Sequence, residues 1–314
     1  MITAGAERVK LRVSLTKLQR YLIRSWPLYA MLIPGIVQVA IFQYYPMYGV
    51  VIAFQKYNPG LGFTKSPWVG LDNFRYILSN PDFYNVLRNS FVIAVSKIVT
   101  AQFCAVSLAV LLNEIRSMLF KRTLQTVVYL PHFLSWVVLG GILIDMLSVG
   151  GIVTRLFRVF DAEAPMFFGS NTWFVPTLIL SNLWKSVGWS TIIYLAALMN
   201  IDPQLHEAAA IDGASRWQRI RHVTMPSISS TVVLLACLAL GNVLQAGFEQ
   251  VFTLYNPAVY RTGDILDTYV YRAGLISAQF SLAGAIGLFK SAMGFILIVI
   301  AYWLADKFAG YRIF

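Results

Sequence analysis

Six stretches of this 314-residue chain are long and apolar enough to cross a lipid bilayer. They run over roughly 27–54, 89–112, 124–149, 173–199, 227–248 and 284–305, and a helical span needs about 20 such residues to cover a hydrocarbon core about 30 Å thick. Inside lipid no water satisfies the backbone N–H and C=O groups, so each span must close its own hydrogen bonds as a helix. This predicts an all-α polytopic membrane protein with six transmembrane helices. At 58% hydrophobic, 14% aromatic and 12% charged residues, the composition excludes an ordinary soluble domain. No span repeats another at a fixed period, and no low-complexity tract interrupts them.

The net charge of +11 would suit a nucleic-acid binder, but its distribution argues for membrane topology instead. With the N-terminus placed in the cytoplasm, the inner segments hold 14 basic residues: Arg8, Lys10, Arg12, Lys17, Arg20, Arg24, Arg116, Lys121, Arg122, Arg216, Arg219, Arg221, Lys307 and Arg312. Against them stand six acidic ones, Glu7, Glu114, Asp202, Glu207, Asp212 and Asp306, whereas the outer segments hold eight basic and seven acidic residues. This bias follows the positive-inside rule and puts both termini in the cytoplasm. The expected organisation is a basic arm (1–26) attracted to anionic headgroups, a six-helix membrane domain (27–306) with a cytoplasmic loop at 200–226, and a short tail (307–314). The first apolar stretch is too long for a signal-peptide core and lacks a small-x-small cleavage site, so it is expected to be retained.

The loop between the fourth and fifth spans is the most informative polar segment. It reads Glu207-Ala-Ala-Ala-Ile-Asp-Gly-Ala214 and continues through Ser215 and Trp217 to Met225-Pro226. Asp202 is suited to N-cap a helix that has Pro203 at its first position, where the missing N–H costs nothing. Leu205 to Asp212 are mostly good helix formers, and Gly213 supplies the stop. Ser215 with Gln218 reads as a capping box for a second short helix, closed by Pro226. Two short helices meeting at a glycine form a knob that another protein can grip; the alternative is an amphipathic interfacial helix.

The chain has no G-x-x-x-x-G-K-[ST] loop to cradle ATP phosphates, no nucleophile elbow and no H-E-x-x-H pair. Cys104 and Cys237 fall in separate spans, and His132, His206 and His222 are scattered, so no disulfide or metal site is expected. The outer loops, about 20 to 35 residues each, are too short to fold into domains. Energy and solute capture therefore fall to other subunits. Six helices are also few for enclosing a large solute path, which implies a second, identical or homologous, membrane subunit.

The E-A-A-x-x-x-G pattern with its downstream hydrophobe-x-Pro resembles the cytoplasmic-loop signature of permease subunits in binding-protein-dependent ABC importers. The resemblance falls on Glu207, Ala208, Ala209, Asp212, Gly213 and Pro226, with Trp217 beside them. Met225 stands where that family usually has Leu, and Ser229-Ser230 where a second proline often follows. The likeness extends over YYPMYGVVIAFQKYNP (44–59), WVGLDNF (68–74), LLNEI (111–115), KRTLQTVVYLPHFLSWVV (121–138), WKSVGWSTIIYLAAL (184–198), GFEQVFTLYNP (247–257), DTYVYRAGL (267–275) and AIGLFKS (285–291). These blocks are similar to the oligo- and polysaccharide branch of the sugar permeases, which includes alginate importers. The resemblance implies a type I importer permease fold in a bacterial inner membrane. It also implies a second permease (a homologous partner), two ATPase subunits that carry the ATP and Mg, and an extracytoplasmic solute-binding protein. This chain itself would hold no cofactor and perform no catalysis.

Polar groups inside the spans are candidates for a glycan pathway, since ionisable residues there are costly and usually face a cavity or a partner. Lys185, beside Trp184 and with Asn182 one turn back, either meets an acidic sugar by charge and stacking, pairs with Asp145, or snorkels outward. Lys97 and Lys290 are expected to snorkel. Asn242, Gln245 and Glu249, at i, i+3 and i+7, fall on one face of the fifth span and read as a wet stripe or a helix–helix seam. Tyr255, Tyr260, Tyr269, Tyr271 and Arg272 in the outer segments are candidate contacts for the binding protein or belt aromatics. The rival to an ATP-driven importer is an ion-coupled secondary carrier using Asp145, Lys185 and Glu249.

Overall fold

The structure, a computed structural model, describes residue 21 and residues 24–309. The expected N-terminal arm up to Arg20 and the tail beyond Ala309, with Arg312, lie outside the described residues. Contacts divide the chain into two units, 1–52 and 53–314. In the first, α1 (Trp26–Val39) continues into a wider π turn at Ala40–Tyr44, after which Pro46 sits in the resumed helix.

The second unit is built from helices joined by short turns: α2 (Pro81–Glu114), α3 (Met118–Tyr129), α4 (Trp136–Leu147), α5 (Ile152–Val159), α6 (Asn171–Met199), α7 (Pro203–Ile211), α8 (Arg216–Arg219), α9 (Met225–Leu240), α10 (Phe248–Leu254), α11 (Leu266–Tyr271) and α12 (Phe280–Ala309). Among the described residues, extended pairing is confined to one antiparallel bridge between Gln55 and Trp68. Asn80 caps α2, accepting from the Asp82 N–H at 2.9 Å, and Pro81 takes the first turn, so this helix begins eight residues before the apolar stretch that announces it.

Five helical stretches are apolar and long enough to cross a membrane: Trp26–Phe54, Pro81–Glu114, Trp136–Val159, Arg216–Leu240 and Phe280–Lys307. The expected span at 173–199 forms as α6, whose 29 residues reach about 43 Å, but its composition is more polar than that of the five. The physical reason lies in its neighbours. Helix α6 packs along α2 and also meets α3, α9 and α10, so Thr177, Ser181 and Thr191 are buried in protein. A helix sheathed by other helices has less need of a lipid-compatible surface.

Two apolar clusters stabilise this arrangement. One gathers Phe83 and Ile93 of α2, Phe174 and Leu178 of α6, Val251 of α10, Leu266 of α11 and Ile286 of α12. The other sets Ala105 and Ala109 of α2 against Tyr194 and Leu198 of α6 and Ile228 of α9. The small alanines let the backbones approach, as small residues do in membrane interiors. Gly188 of α6 marks another close crossing: a Cβ there would lie 2.3 Å from the Val128 carbonyl oxygen of α3.

Two expected spans are broken. The 124–149 stretch becomes α3, a tight turn at Leu130–Phe133, an extended Leu134 and then α4, which Ser135 caps by accepting from the Val138 N–H at 3.2 Å. The 227–248 stretch stops at Leu240, and its helix restarts only after Gly247, held at φ +90°. Such breaks free backbone carbonyls that lipid cannot satisfy. Lysines from the central pair of helices satisfy them. Lys185 of α6 donates to the carbonyls of His132 (3.0 Å) and Leu134, and its ammonium lies 5.5 Å from the Trp136 ring centroid. Lys97 of α2, 7% exposed, donates to the Ala246 carbonyl at 2.6 Å and to Gln250 Oε1 at 2.5 Å. Gln250 then donates to the Leu178 carbonyl (2.7 Å) and to Ser181 Oγ (2.8 Å), joining α2, α6 and α10.

The expectation that Lys97 snorkels is therefore corrected: a nearby break offers its ammonium acceptors closer than the interface. Lys97→Met should strand the Ala246 and Gln250 acceptors at about 1–3 kcal/mol each. Denaturation in detergent should show that loss, with Lys97→Gln intermediate. Wild-type stability in Lys97→Met would refute the sealing role.

Candidate functional site

The loop at 200–226 folds as its caps predict. Asp202 Oδ1 accepts from the Gln204 N–H at 2.9 Å, and Pro203 opens α7. The helix ends in a Schellman arrangement: Gly213 at φ +80° donates to the Ala210 carbonyl (3.1 Å) and Ala214 donates to that of Ala209 (2.9 Å). The capping box of α8 is present, with the Ser215 N–H bonded to Gln218 Oε1 at 2.7 Å.

One expectation here is overturned. Pro226 does not close α8. The chain runs from α8 through a π turn at Ile220–Thr224 into α9, and Pro226 lies in the first turn of the resumed helix. A π turn widens the ladder, so a proline that lacks its N–H and crowds the preceding turn is accommodated; Pro46 follows the earlier π turn in the same way. Arg216–Leu240 is consequently one membrane-length helix. The second helix of the knob, α8, is the end of a span, which a bare motif could not disclose.

No residue of α7 is buried, and Glu207, Ala208 and Asp212 are exposed while Ala209 is half-buried. Around them Leu205, Ile211 (87% exposed) and Trp217 (70%) present apolar surface. Small residues flanked by large exposed hydrophobes and a carboxylate make a surface that a groove on another protein could enclose.

The candidate pathway residues separate into groups. Asn242 and Gln245 lie in the non-helical break and, with Lys290 and Ser291 of α12, line a cavity of ≈ 500 Å³. Glu249 sits in the first turn of α10, beyond the break, so the expected i, i+3, i+7 stripe on one helix does not form. The helix has already ended at Leu240, before Asn242, and restarts only after Gly247 at φ +90°. Asn182 and Trp184 lie on α6 away from that cavity's walls, and the Lys185 ammonium is occupied by carbonyls. Asp145 is exposed near the end of α4 and pairs neither with Lys185 nor with Glu249 among the described residues. Lys290, expected to snorkel, is ion-paired with Asp267 of α11.

The outer candidates form two neighbouring clusters. Arg272 pairs with the buried Asp264 at 2.5 Å and lies over the rings of Tyr260 (4.4 Å) and Tyr269 (5.6 Å), with the Tyr255 ring tilted against Tyr260 at 5.1 Å. Burial pushes the Tyr255 phenol up to about 12, so it stays a neutral hydroxyl. Tyr271 belongs instead with Phe248 and Phe252, at 5.8 and 4.8 Å. These side chains are half-buried and mutually engaged, which makes the cluster a brace for the segment as well as a candidate contact. Sequence reasoning missed Gln250, whose neighbours Gln245 and Glu249 are equally polar and whose partners on α2 and α6 lie far away in the chain.

With this geometry in view, comparison with known proteins is direct. Residues 98–310 match the model of the binding-protein-dependent transport system inner membrane component family. The polygalacturonan/rhamnogalacturonan transport system permease protein YteP of Bacillus subtilis is 44% identical over 288 residues, covering 91% of this chain and 90% of that one. Protein LplB of the same organism is 43% identical over 282 residues, with coverage of 90% and 89%. Among solved structures, a bacterial ABC transporter that imports the acidic polysaccharide alginate contains a chain 35% identical at a TM-score of 0.86, over 93% of this chain and 99% of that one. The same transporter in complex with an alginate pentasaccharide-bound periplasmic protein gives 34% and 0.86. The chain therefore belongs to the family of inner membrane components of binding-protein-dependent transport systems and has the fold of an ABC importer permease.

Proposed function

We propose that this chain is the permease subunit of an ATP-driven importer that takes an acidic oligo- or polysaccharide from an extracytoplasmic binding protein into a bacterial cytoplasm. The observation that carries the mechanism is the continuity of α8 with α9. A partner that grips the knob acts on a helix of membrane length through α8, which runs into α9 without an intervening loop, while α7 is joined to α8 by the tight turn at Asp212–Ser215. Two ATPase subunits, holding ATP and Mg, grip the knob of this chain and that of a homologous second permease. When they close, the paired permeases open outward to receive sugar; hydrolysis reverses the motion by alternating access. Glu207, Ala208, Ala209, Asp212, Gly213 and Trp217 serve the docking surface. Pro226 marks where the lever enters the span. Asn182, Trp184, Asn242, Gln245 and Glu249 remain candidates for the sugar path; Lys185 supports its wall. Tyr255, Tyr260, Tyr269, Tyr271 and Arg272 shape the surface offered to the binding protein.

Support for an acidic cargo comes from the relatives. One is named for a galacturonan, whose sugars carry carboxylates, and the structural match imports alginate, an acidic polysaccharide. The carrier reading is disfavoured because Asp145, Lys185 and Glu249 do not converge into a relay.

At φ +80° a side chain at Gly213 is strained by about 1–2 kcal/mol, and Gly213→Val should cost more because branching worsens the clash. Both Gly213→Val and Glu207→Lys should abolish co-purification of the ATPase subunits, or binding-protein-stimulated ATPase activity. Full activity in either variant refutes the docking assignment. In proteoliposomes holding the complete complex, binding protein loaded with trigalacturonate should stimulate ATPase activity and uptake. Uptake that proceeds without ATP would restore the carrier reading.

A further inference from the structure

Lys97, Lys185 and Lys290 lie within the long helices away from their ends, and the first two are committed to main-chain carbonyls at the breaks. Lys290 is different. It bonds to the Asp267 carboxylate, and the two side chains remain 21% and 27% exposed. Two cavities meet beside it. The first, ≈ 500 Å³, is the one bordered by Asn242 and Gln245; the second, ≈ 670 Å³, is bordered by Phe248, Asp267 and Tyr271. Gln245 and Lys290 belong to the walls of both. The exposed amides of Asn242 and Gln245 have no side-chain hydrogen bond to other described residues, so they are available to a wet ligand.

A chain of uronic acids presents two repeating features, a carboxylate on each acidic sugar and a ring face that packs on aromatic side chains. We infer that Lys290 reads the carboxylates of an acidic glycan in transit, with Phe248 and Tyr271 beside it for the ring faces and Asp267 as a tempering counter-charge. This rests on the importer reading above. An ammonium has three N–H donors, and Asp267 accepts from it without exhausting them. The pair also meets the demand on any transit site, that contact be good enough to enter and weak enough to leave. An unpaired cation in a low-dielectric cavity would hold a polyanion; a cation already facing a carboxylate exchanges one such contact for another. Lys97 and Lys185 cannot serve here, because drawing either toward a ligand would reopen a helix break.

The test is uptake of trigalacturonate by the reconstituted complex with its binding protein. Lys290→Gln should lower uptake about 10-fold, the loss of one charge-assisted contact, while Lys290→Arg retains most of it. Asp267→Asn should act oppositely on KM, lowering it, with slower turnover as the sugar lingers. The double neutral variant Lys290→Gln with Asp267→Asn keeps a hydrogen bond between the two side chains, so it should assemble yet remain slow. An ion pair that only braces the helices predicts the same direction of KM change for Lys290→Gln and Asp267→Asn; that result, or wild-type uptake by Lys290→Gln, overturns the assignment. Failure of the wild-type complex to take up trigalacturonate would instead refute the importer reading with this cargo.

Discussion

The architecture depends on how the backbone carbonyls freed by two helix breaks are satisfied where water is scarce. An unpaired carbonyl in a hydrocarbon environment costs several kcal/mol, so a broken span is tolerable only if protein donors reach the gap. Here the donors are ammonium groups on α2 and α6, the most intimately packed pair of helices. Lys97 reaches the break before α10, and Lys185 reaches the break before α4. Each lysine is itself costly to bury and each carbonyl costly to leave open; together the two costs largely offset.

That mutual satisfaction gives the fold its division of labour. The α2–α6 pair and Gln250 form a fixed centre, and the non-helical segments beside it can be polar without being exposed to lipid. Asn242 and Gln245 therefore occupy a cavity wall and not a helix face. At the far end of α9, the π turn performs a related service. It absorbs Pro226 without breaking the rod, so α8, the second helix of the knob, and α9 are one piece.

Caps and turns whose determining atoms are near in the chain form as the sequence predicts, with Pro226, absorbed by a π turn, the local exception. Asp202, Gly213 and the Ser215–Gln218 box act over a few residues, and each forms as its chemistry dictates. Signals that depend on distant partners were misread. Lys97 and Lys290 each lie near the start of an apolar stretch, a position that suggests reach to the interface, whereas their acceptors come from 149 residues downstream and 23 upstream. The stripe of Asn242, Gln245 and Glu249 assumed a helix continuing past Gly241, and hydropathy cannot distinguish an apolar helix from an apolar break followed by another.

What the sequence by itself determined is the apolar, membrane-length character, the helical class, and the two-helix loop at 200–226 with its caps, because burial in lipid and short-range hydrogen bonding leave few alternatives. Tertiary structure alone decided where spans break, which lysine seals which break, and that Lys290 bonds to Asp267 at a cavity wall. Those outcomes turn on which carbonyls and carboxylates lie within about 3 Å of a given ammonium, and that proximity exists only after helices far apart in the chain have packed.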